Sequence, residues 1–584
     1  MIPGREKRQF RALARLFAYR FLDTEIIQAR GDVSSLFSQL AALLAALSFV
    51  VCAGVVYAYV GHKPPATARW AHEEFLISTT MAVIGVFTLL LWDQLFPDRR
   101  DSLILGAMPI RRRTILCAKV AAIGTALSLA VLSVNSFTGF VFPLFILSAG
   151  QDSIGIARCF ATYWIVIALA SAFAFFTLLG VQGIAIHALP HARFQRSSGL
   201  IQCAAFFAVL TLYFLTPPLA TPAVFADPGN SLWYAVLPSY WFLGLFQVLN
   251  GSSDALFVEL ARRAVTSGAV VTVFAGACFH LSYARQMRRA VEQDGIVPRR
   301  VGTFRRLADR VTRLVSPLSG EHALLAFIGR TLARSRQHRS LIAIYAGLGL
   351  AYVFSGIAAV IYNPHSFKAV ERSRAATGIP LLMLFFLIVG IRVSFSIPTE
   401  VRANWLFRMT DPFGSGAYLS AARKALLLFA VAPVLAISAA IYSAVWPWWK
   451  ALAHLGFIAA VGLLLVELAL RKWNKVPFAC TYLPGKANLK VMFGVYWALL
   501  WFLSQVVILI ENEALKTPAG YAVLMAITLA GWLRVAYLAS AARADFSGLR
   551  FEEEPEPVVT SLGNIAGERT AIHRDRGGKY LPII

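Results

Sequence analysis

Residues 159–189 read CFATYWIVIALASAFAFFTLLGVQGIAIHAL and contain no Asp, Glu, Lys or Arg. About 20 predominantly apolar residues are enough for a helix to cross the hydrocarbon core of a bilayer. A helix also satisfies its own backbone hydrogen bonds, which water cannot do inside lipid. This stretch therefore predicts a transmembrane helix.

Further stretches of the same character lie on both sides of it. In chain order, the predicted spans are 36–60, 75–96, 114–136, 159–189, 198–216, 264–285, 341–362, 378–398, 425–446, 451–470, 489–510 and 518–542. The composition agrees, because a chain of 584 residues with 58% hydrophobic and 15% charged residues has too few charges to cover a soluble globule. The sequence thus predicts an all-α, polytopic transmembrane protein with about 12 spans.

The formal net charge of +25 could indicate a nucleic-acid partner. The basic residues, however, lie mainly between the predicted spans, as membrane topology requires. Placing the N-terminus in the cytoplasm puts most Lys and Arg residues in cytoplasmic segments, which agrees with the positive-inside rule. We therefore predict a location in the cytoplasmic (inner) membrane, both termini in the cytoplasm and no nucleic-acid partner.

A basic stretch in the middle of the chain separates two groups of six spans. The predicted organisation is an N-terminal interfacial helix (1–35), a first six-span half (36–285), a basic cytoplasmic linker with a second interfacial helix (286–339), a second six-span half (340–542) and a cytoplasmic, disordered tail (543–584).

The two interfacial helices are predicted from their periodicity. Phe10, Leu13, Ala14, Phe17 and Phe21 recur at spacings of three and four residues, and arginines occupy the remaining positions. A similar pattern runs from 320 to 339 in the linker. Apolar residues on one face and arginines on the other are typical of a helix that lies on membrane lipid.

Two cytoplasmic segments share a sequence pattern. Residues 96–113 read FPDRRDSLILGAMPIRRR, and residues 397–411 read IPTEVRANWLFRMTD. In each, a proline ends a span, mixed charges follow, and a short apolar stretch leads to another charged cluster. Because six is an even number of spans, both segments lie on one side of the membrane. We therefore predict that the two halves are parallel repeats.

An interfacial helix, two spans, a charged cytoplasmic segment and four further spans resemble the membrane (permease) subunit of a type-2 ABC exporter, with two six-span halves fused in one chain. The resemblance implies that both charged segments contact a separate ABC ATPase, present in two copies, and that an unknown substrate is exported between the halves. The residues it assigns to the ATPase contact are Asp98, Arg99, Arg100, Asp101, Arg111, Arg112, Arg113, Glu400, Arg402, Arg408 and Asp411. Ordinary positive-inside anchoring is the alternative interpretation of each charge.

The chain contains no Gly-x-x-x-x-Gly-Lys-Ser/Thr sequence, the loop that cradles phosphate in many ATPases. We therefore expect that it is not an enzyme, that it has no catalytic residue, cofactor or metal, and that ATP and Mg²⁺ are bound by the partner ATPase. The segment KVPFACTYLPGK at 475–486 fits either a second ATPase-facing loop or a structured turn.

Two other classes of protein remain open: an ion-coupled secondary transporter and a polytopic, membrane-embedded transferase. The first generally needs ionisable groups at membrane depth, and the second needs a cluster of Asp, Glu or His at one membrane face. Few ionisable residues fall within the predicted spans, and Glu73 and Glu74 are assigned to an external loop. Both alternatives are therefore less favoured than the exporter subunit.

Overall fold

The computed structural model describes residues 3–22, 33–59, 66–92, 94–95, 105, 108–147, 153–219, 234, 236–292, 310, 312–316, 319–361, 374–397, 399, 414–471, 473, 476–478, 506–544, 572–574 and 580–582. These residues are almost entirely helical, so the predicted all-α class is confirmed.

The described part of the first half consists of helices. They are α1 (Pro3–Leu22), α2 (Val33–Tyr59), α3 (Ala66–Leu90), α4 (Arg112–Val134), α5 (Thr138–Val141) with a π-helical turn (Phe142–Leu147), α6 (Ser153–Ala188), α7 (His191–Leu219), α8 (Pro238–Leu249) and α9 (Ala255–Glu292). Helices α6 and α9 contain 36 and 38 residues. At 1.5 Å per residue each is over 50 Å long, so both extend beyond a hydrocarbon core of about 30 Å.

The second half continues with α10 (Ser319–Arg334), α11 (Arg336–Ile361), α12 (Arg374–Ser394), α13 (Gly414–Leu426), a π-helical turn (Leu427–Val431), α14 (Ala432–Val445), α15 (Trp448–Leu470) and α16 (Pro518–Ala544). Residues 506–514 are also helical. A short antiparallel ribbon of β1 (Ile572–Arg574) and β2 (Tyr580–Pro582) lies in the segment for which the sequence predicts disorder.

Within the described residues, nine helical stretches are long and apolar enough to span a membrane. They are Ala66–Leu90, Arg113–Val134, Ile154–Ala188, Ser197–Phe214, Ala255–Ser282, Thr377–Ser394, Gly416–Val445, Trp448–Leu470 and Pro518–Ser540. The predicted spans at 36–60, 341–362 and 489–510 fall partly outside the described residues, although the first two coincide with α2 and α11. The relation of the halves as repeats stays a prediction.

Aromatic side chains hold α8 and α9 against the rest of the first half. Tyr240, Phe242 and Phe246 of α8 share a buried cluster with Phe257 of α9 and with residues of α3 and α6. Large aromatic side chains make extensive van der Waals contacts, and such packing drives the association of helices in a membrane. Helix α8 is therefore a packed part of the fold.

Gly244 marks the closest approach of α8 to α9. A Cβ atom at this position would lie 2.9 Å from the carbonyl oxygen of Phe257, a distance that real Cβ atoms essentially never show. We expect Gly244→Val to force the helices apart and to lower the free energy of unfolding by about 1–3 kcal/mol, the usual cost of overpacking. The measurement is the thermal unfolding midpoint in detergent. Gly276→Ala is the matched control, because Gly276 on α9 has open space around it; an equal loss in both variants would contradict the prediction.

Candidate functional site

Two hydrogen bonds join three helices at one end of the helix bundle. The Gln202 amide of α7 donates to the Leu89 carbonyl of α3 at 2.8 Å, and its side-chain oxygen accepts from the Ser340 hydroxyl of α11 at 3.1 Å. This contact crosses from the first half to the second, where α7 and α11 pack side by side. Phe17 of α1 shares a buried cluster with Leu91, two residues beyond Leu89. We therefore name this end of the bundle the α1 end, and the opposite end the α8 end.

Helix α1 packs its apolar face against α4. Leu13 and Phe17 are buried, and the Lys119 ammonium lies 5.7 Å from the centre of the Phe17 ring. Immediately before α4, the Arg111 guanidinium forms an ion pair with the Glu6 carboxylate at 2.9 Å. The apolar residues predicted to lie on lipid thus include two that cover a neighbouring helix, and the position of α1 on the membrane surface stays a prediction. Helix α1 and the start of α4 thus form one packed unit.

Helix α10 packs against α13 in the second half. Leu325 and Ile328 belong to the same buried cluster as Ala421 of α13. The Glu321 carboxylate accepts a charge-assisted hydrogen bond from the Lys424 ammonium, and this bond lowers the pKa of Glu321 from its ordinary value. The two side chains are only 15% and 27% exposed, so solvent screens the pair less than it screens a surface ion pair.

Few of the residues assigned to the ATPase contact fall in the described part of the chain. Arg111 pairs with Glu6, Arg112 is the first residue of α4, and Arg113 is exposed. The others lie outside the described residues: Asp98, Arg99, Arg100, Asp101, Glu400, Arg402, Arg408 and Asp411. The structure thus places Arg111 beside α1, which sequence reasoning did not anticipate.

The described residues that flank the two charged segments lie at the same end of the bundle. Leu95 and Leu105, on either side of the first segment's acidic part, share a buried cluster with α1. Ile397, where the second segment begins, accepts a hydrogen bond through its carbonyl from the ring of His338 at 2.9 Å. His338 lies two residues before Ser340, whose contact with α7 belongs to the α1 end. Both segments therefore leave the bundle at the α1 end.

The described part of the distinctive 475–486 segment is a structured turn. The Phe478 N–H donates to the Phe395 carbonyl at 2.9 Å, and the Thr399 N–H donates to the Phe478 carbonyl at 3.0 Å. Phe478 has φ of +63°, in the left-handed region that is uncommon for residues other than glycine, and its side chain is buried. This turn fixes the chain where it leaves α12 and enters the second charged segment.

Two acidic residues are buried in the first turns of α3, at the α8 end. Glu73 is 5% exposed and Glu74 is fully buried. The Gln247 amide of α8 donates a hydrogen bond to Glu73. The assignment of both residues to an external loop is wrong, because α3 begins at Ala66. Packing of α8 on α3 shields the two carboxyl groups, and the hydropathy of a single segment does not register such packing.

A second buried acid lies at the α8 end of the second half. Glu511 is 2% exposed and pairs with Nδ1 of His454 on α15, which is fully buried. The rings of Tyr442 and Trp446 enclose the imidazole, with centres 4.9 and 5.2 Å away. The sequence places Glu511 in a short loop, whereas residues 506–514 are helical and the side chain faces α15. Buried ionisable groups among the described helices are therefore more numerous than the sequence predicts.

A cavity of about 140 Å³ lies between α3, α6, α7 and α8. The cavity is open to the protein surface on one side. Its walls are mainly apolar, and the hydroxyl-bearing residues Ser78, Thr177, Tyr213 and Ser239 line it at separate points. An apolar cavity with a few polar groups is the usual form of a small-molecule site.

The helices and buried polar groups define a polytopic, all-helical, multi-pass membrane protein with nine candidate spans in its described part. No protein-family model, curated protein or solved structure matches the chain. Its function must therefore be inferred from its own residues and their arrangement.

Proposed function

We propose that this protein is the transmembrane permease subunit of an ATP-driven ABC exporter, which moves a substrate across the cytoplasmic membrane together with a separate ATPase. The observation that carries the proposal is an arrangement that occurs twice at the α1 end. Helix α1 pairs with the start of α4 through Glu6 and Arg111, and α10 pairs with α13 through Glu321 and Lys424. In both, an amphipathic helix supplies the acid. The base is Arg111, immediately before the third span of the first half, or Lys424, within the third span of the second half, and this similarity supports the repeat relation.

These packed units give the proposed ATPase a means to move the spans. The segment 96–113 leads directly into α4, and the segment 397–411 precedes α13. A displacement of either segment shifts a span together with its amphipathic helix, because buried side chains and an ion pair join them. Rigid elements that shift as units are one of the established ways in which a local change becomes a global one.

We expect the two halves to move against each other at the contact between α7 and α11. Small residues face it: a Cβ on Gly347 would lie 3.4 Å from Leu210, and one on Gly199 would lie 3.0 Å from Arg339. Small residues at helix contacts allow backbones to approach closely in membranes. In this proposal, the halves rock about this contact and open a path alternately to the two sides.

The energy in this proposal comes from the partner. ATP and Mg²⁺ bind the ATPase, for which the two charged segments provide two docking positions. This chain contributes neither cofactor nor catalytic residue, and its task is to couple ATPase closure to movement of the spans.

The protein purified from its native membrane is expected to carry a P-loop ATPase with it. In proteoliposomes, ATP hydrolysis by this complex is expected to exceed that of the isolated ATPase several-fold, since the permease stabilises its closed form. A protonophore that abolishes ion gradients should leave the stimulated rate unchanged. The measurement is phosphate release with and without the permease and the protonophore. Absence of any ATPase from the purified protein, or an activity that disappears with the proton gradient, would contradict the proposal.

The second candidate function is an ion-coupled secondary transporter. The buried pair of His454 and Glu511 favours it, because carboxyl and imidazole groups at membrane depth are typical of proton relays. Co-purification of an ATPase separates the two functions, since a proton-coupled carrier needs none, and its substrate transport stops when the proton gradient collapses.

A further inference from the structure

Glu74 lies at the α8 end of the cavity between α3, α6, α7 and α8. It precedes Ser78 by one helical turn on the same face of α3, and Ser78 lines the cavity. Ser239 and Tyr213, which also line it, are neighbours of the Glu74 carboxyl group. The carboxyl group therefore lies directly behind residues of the cavity wall, although Glu74 itself is not one of the lining residues.

The surroundings of Glu74 leave its carboxyl group without a full set of partners. Among the residues that the structure describes, neither carboxylate oxygen makes a hydrogen bond of full geometry, although Ser239 lies close by. The adjacent Glu73 differs, because Gln247 donates to it and Arg69 lies near it. A fully buried carboxylate without a counter-charge is costly, and that cost is removed either by a proton or by a bound cation that donates hydrogen bonds.

We propose that this cavity binds an amphiphilic amine, with its ammonium group at Glu74 and its apolar part in the space between α3, α6 and α7. Resting on the proposed transport function, this inference identifies the substrate class as cationic amphiphiles. An ammonium group is a compact donor of three hydrogen bonds, so it can meet the Glu74 carboxylate and the Ser239 hydroxyl at the same time.

The dimensions of the cavity fit such a ligand. An apolar cavity of about 150 Å³ is large enough to hold a benzene ring, and the volume of this partly open cavity is about 140 Å³. The rim includes Leu212 of α7, which is 42% exposed, so a longer chain continues through the open part of the cavity. An apolar ligand thus reaches the cavity from the surface of the spans.

Binding of dansylcadaverine, a primary amine that carries a naphthalene ring, tests the proposal. Its neutral N-acetyl derivative is the matched probe. Fluorescence titration uses the full chain in phosphatidylcholine nanodiscs, with empty nanodiscs as background. We expect the amine to bind at least tenfold more tightly than the acetylated probe, and Glu74→Gln to abolish this preference. Equal affinity of the two probes for the unmodified protein, or a preference that survives Glu74→Gln, would overturn the proposal.

Two further variants locate the site. Ala174 is a buried residue of the cavity wall. Ala174→Leu should weaken the binding of both probes at least fivefold, because the larger side chain fills the cavity. Glu259→Gln removes a partly exposed acid of α9 that already pairs with Arg262 and Arg263, so the amine preference should be unchanged. Full-strength binding to Ala174→Leu, or loss of the preference in Glu259→Gln, would overturn the assignment to this cavity.

If Glu74→Gln does not fold, competitive displacement of the probe from the unmodified protein tests the proposal instead. Hexylamine should displace bound dansylcadaverine at a concentration at least tenfold below that of hexanol, and equal displacement would overturn the proposal. These assays contain no ATPase and no nucleotide. Their failure would leave the exporter proposal standing, whereas a missing ATPase would overturn the exporter proposal and leave the amine site in place.

Discussion

Replacing His454 with leucine is expected to lower the free energy of unfolding by about 3–5 kcal/mol. Its partner Glu511 would then remain buried at 2% exposure without the imidazole that now bonds it. Removal of one member of a buried hydrogen-bonded pair is costly because the other keeps its desolvation penalty without a partner, most of all if it is charged. The measurement is denaturant-induced unfolding in detergent micelles, followed by tryptophan fluorescence.

The double variant His454→Leu with Glu511→Leu separates this explanation from simple loss of packing. Since both polar groups are then absent, we expect most of the lost stability to return. Glu513→Gln is the control for a carboxyl group in the same segment, because Glu513 is 68% exposed in its ion pair with Lys516. Its effect should stay within about 0.5 kcal/mol. A double variant that is as unstable as His454→Leu alone would show that the pair is not the cause.

Reversing two charges before and within the first turn of α4, as Arg111→Glu with Arg113→Glu, is expected to reduce permease-stimulated ATP hydrolysis at least tenfold. Both side chains are exposed, at the end of the segment that the resemblance assigns to the ATPase. A patch of the wrong sign raises the free energy of docking, since like charges repel at an interface. The rate of phosphate release at saturating ATP, together with the amount of ATPase retained by the purified protein, measures the effect.

The ion pair of Arg111 with Glu6 provides a sharp control for this experiment. In the charge-swapped variant Glu6→Arg with Arg111→Glu, the pair that joins α1 to α4 forms again with its signs exchanged. If Arg111 contacts the ATPase, the swap leaves stimulation low. Full recovery in the swapped variant would mean that Arg111 acts only by holding α1, and the assigned ATPase contact would be wrong at this residue.

The sequence predicts the helical architecture well, because a segment that crosses lipid must be long, apolar and helical. Long apolar stretches such as 159–189 have no stable alternative to a helix in a membrane, and α6 occupies this position. The apolar face of α1 is also readable, since Leu13 and Phe17 follow helical spacing and are buried. Both features depend only on residues close together in the chain.

The burial of the acidic residues could not be predicted, because it depends on residues that are far apart in the chain. Glu73 and Glu74 interrupt the apolar character of their segment, so hydropathy places the membrane boundary after them. Their burial depends on α8, whose Gln247 lies 174 positions further along the chain. Glu511 likewise meets His454 from another helix. The end of a span therefore differs from its predicted position wherever a distant helix supplies a partner for a polar group.

The backbone conformation of the turn at 476–478 likewise depends on residues that are distant in the chain. Its composition is distinctive, yet the hydrogen bonds that fix Phe478 come from Phe395 and Thr399 at the end of α12. Only the three-dimensional contact reveals that this turn holds the start of the second charged segment. The residues of that segment assigned to the ATPase stay a prediction.

Labelling of single cysteines at positions 98 and 400 tests whether both charged segments face the cytoplasm and contact the ATPase. Asp98→Cys and Glu400→Cys are introduced separately into a variant that lacks the six native cysteines, and a membrane-impermeant maleimide is added to membrane vesicles of known orientation. We expect both cysteines to react only from the cytoplasmic side and bound ATPase to protect both. Reaction from opposite sides of the membrane, or no protection at either position, would contradict the proposed function.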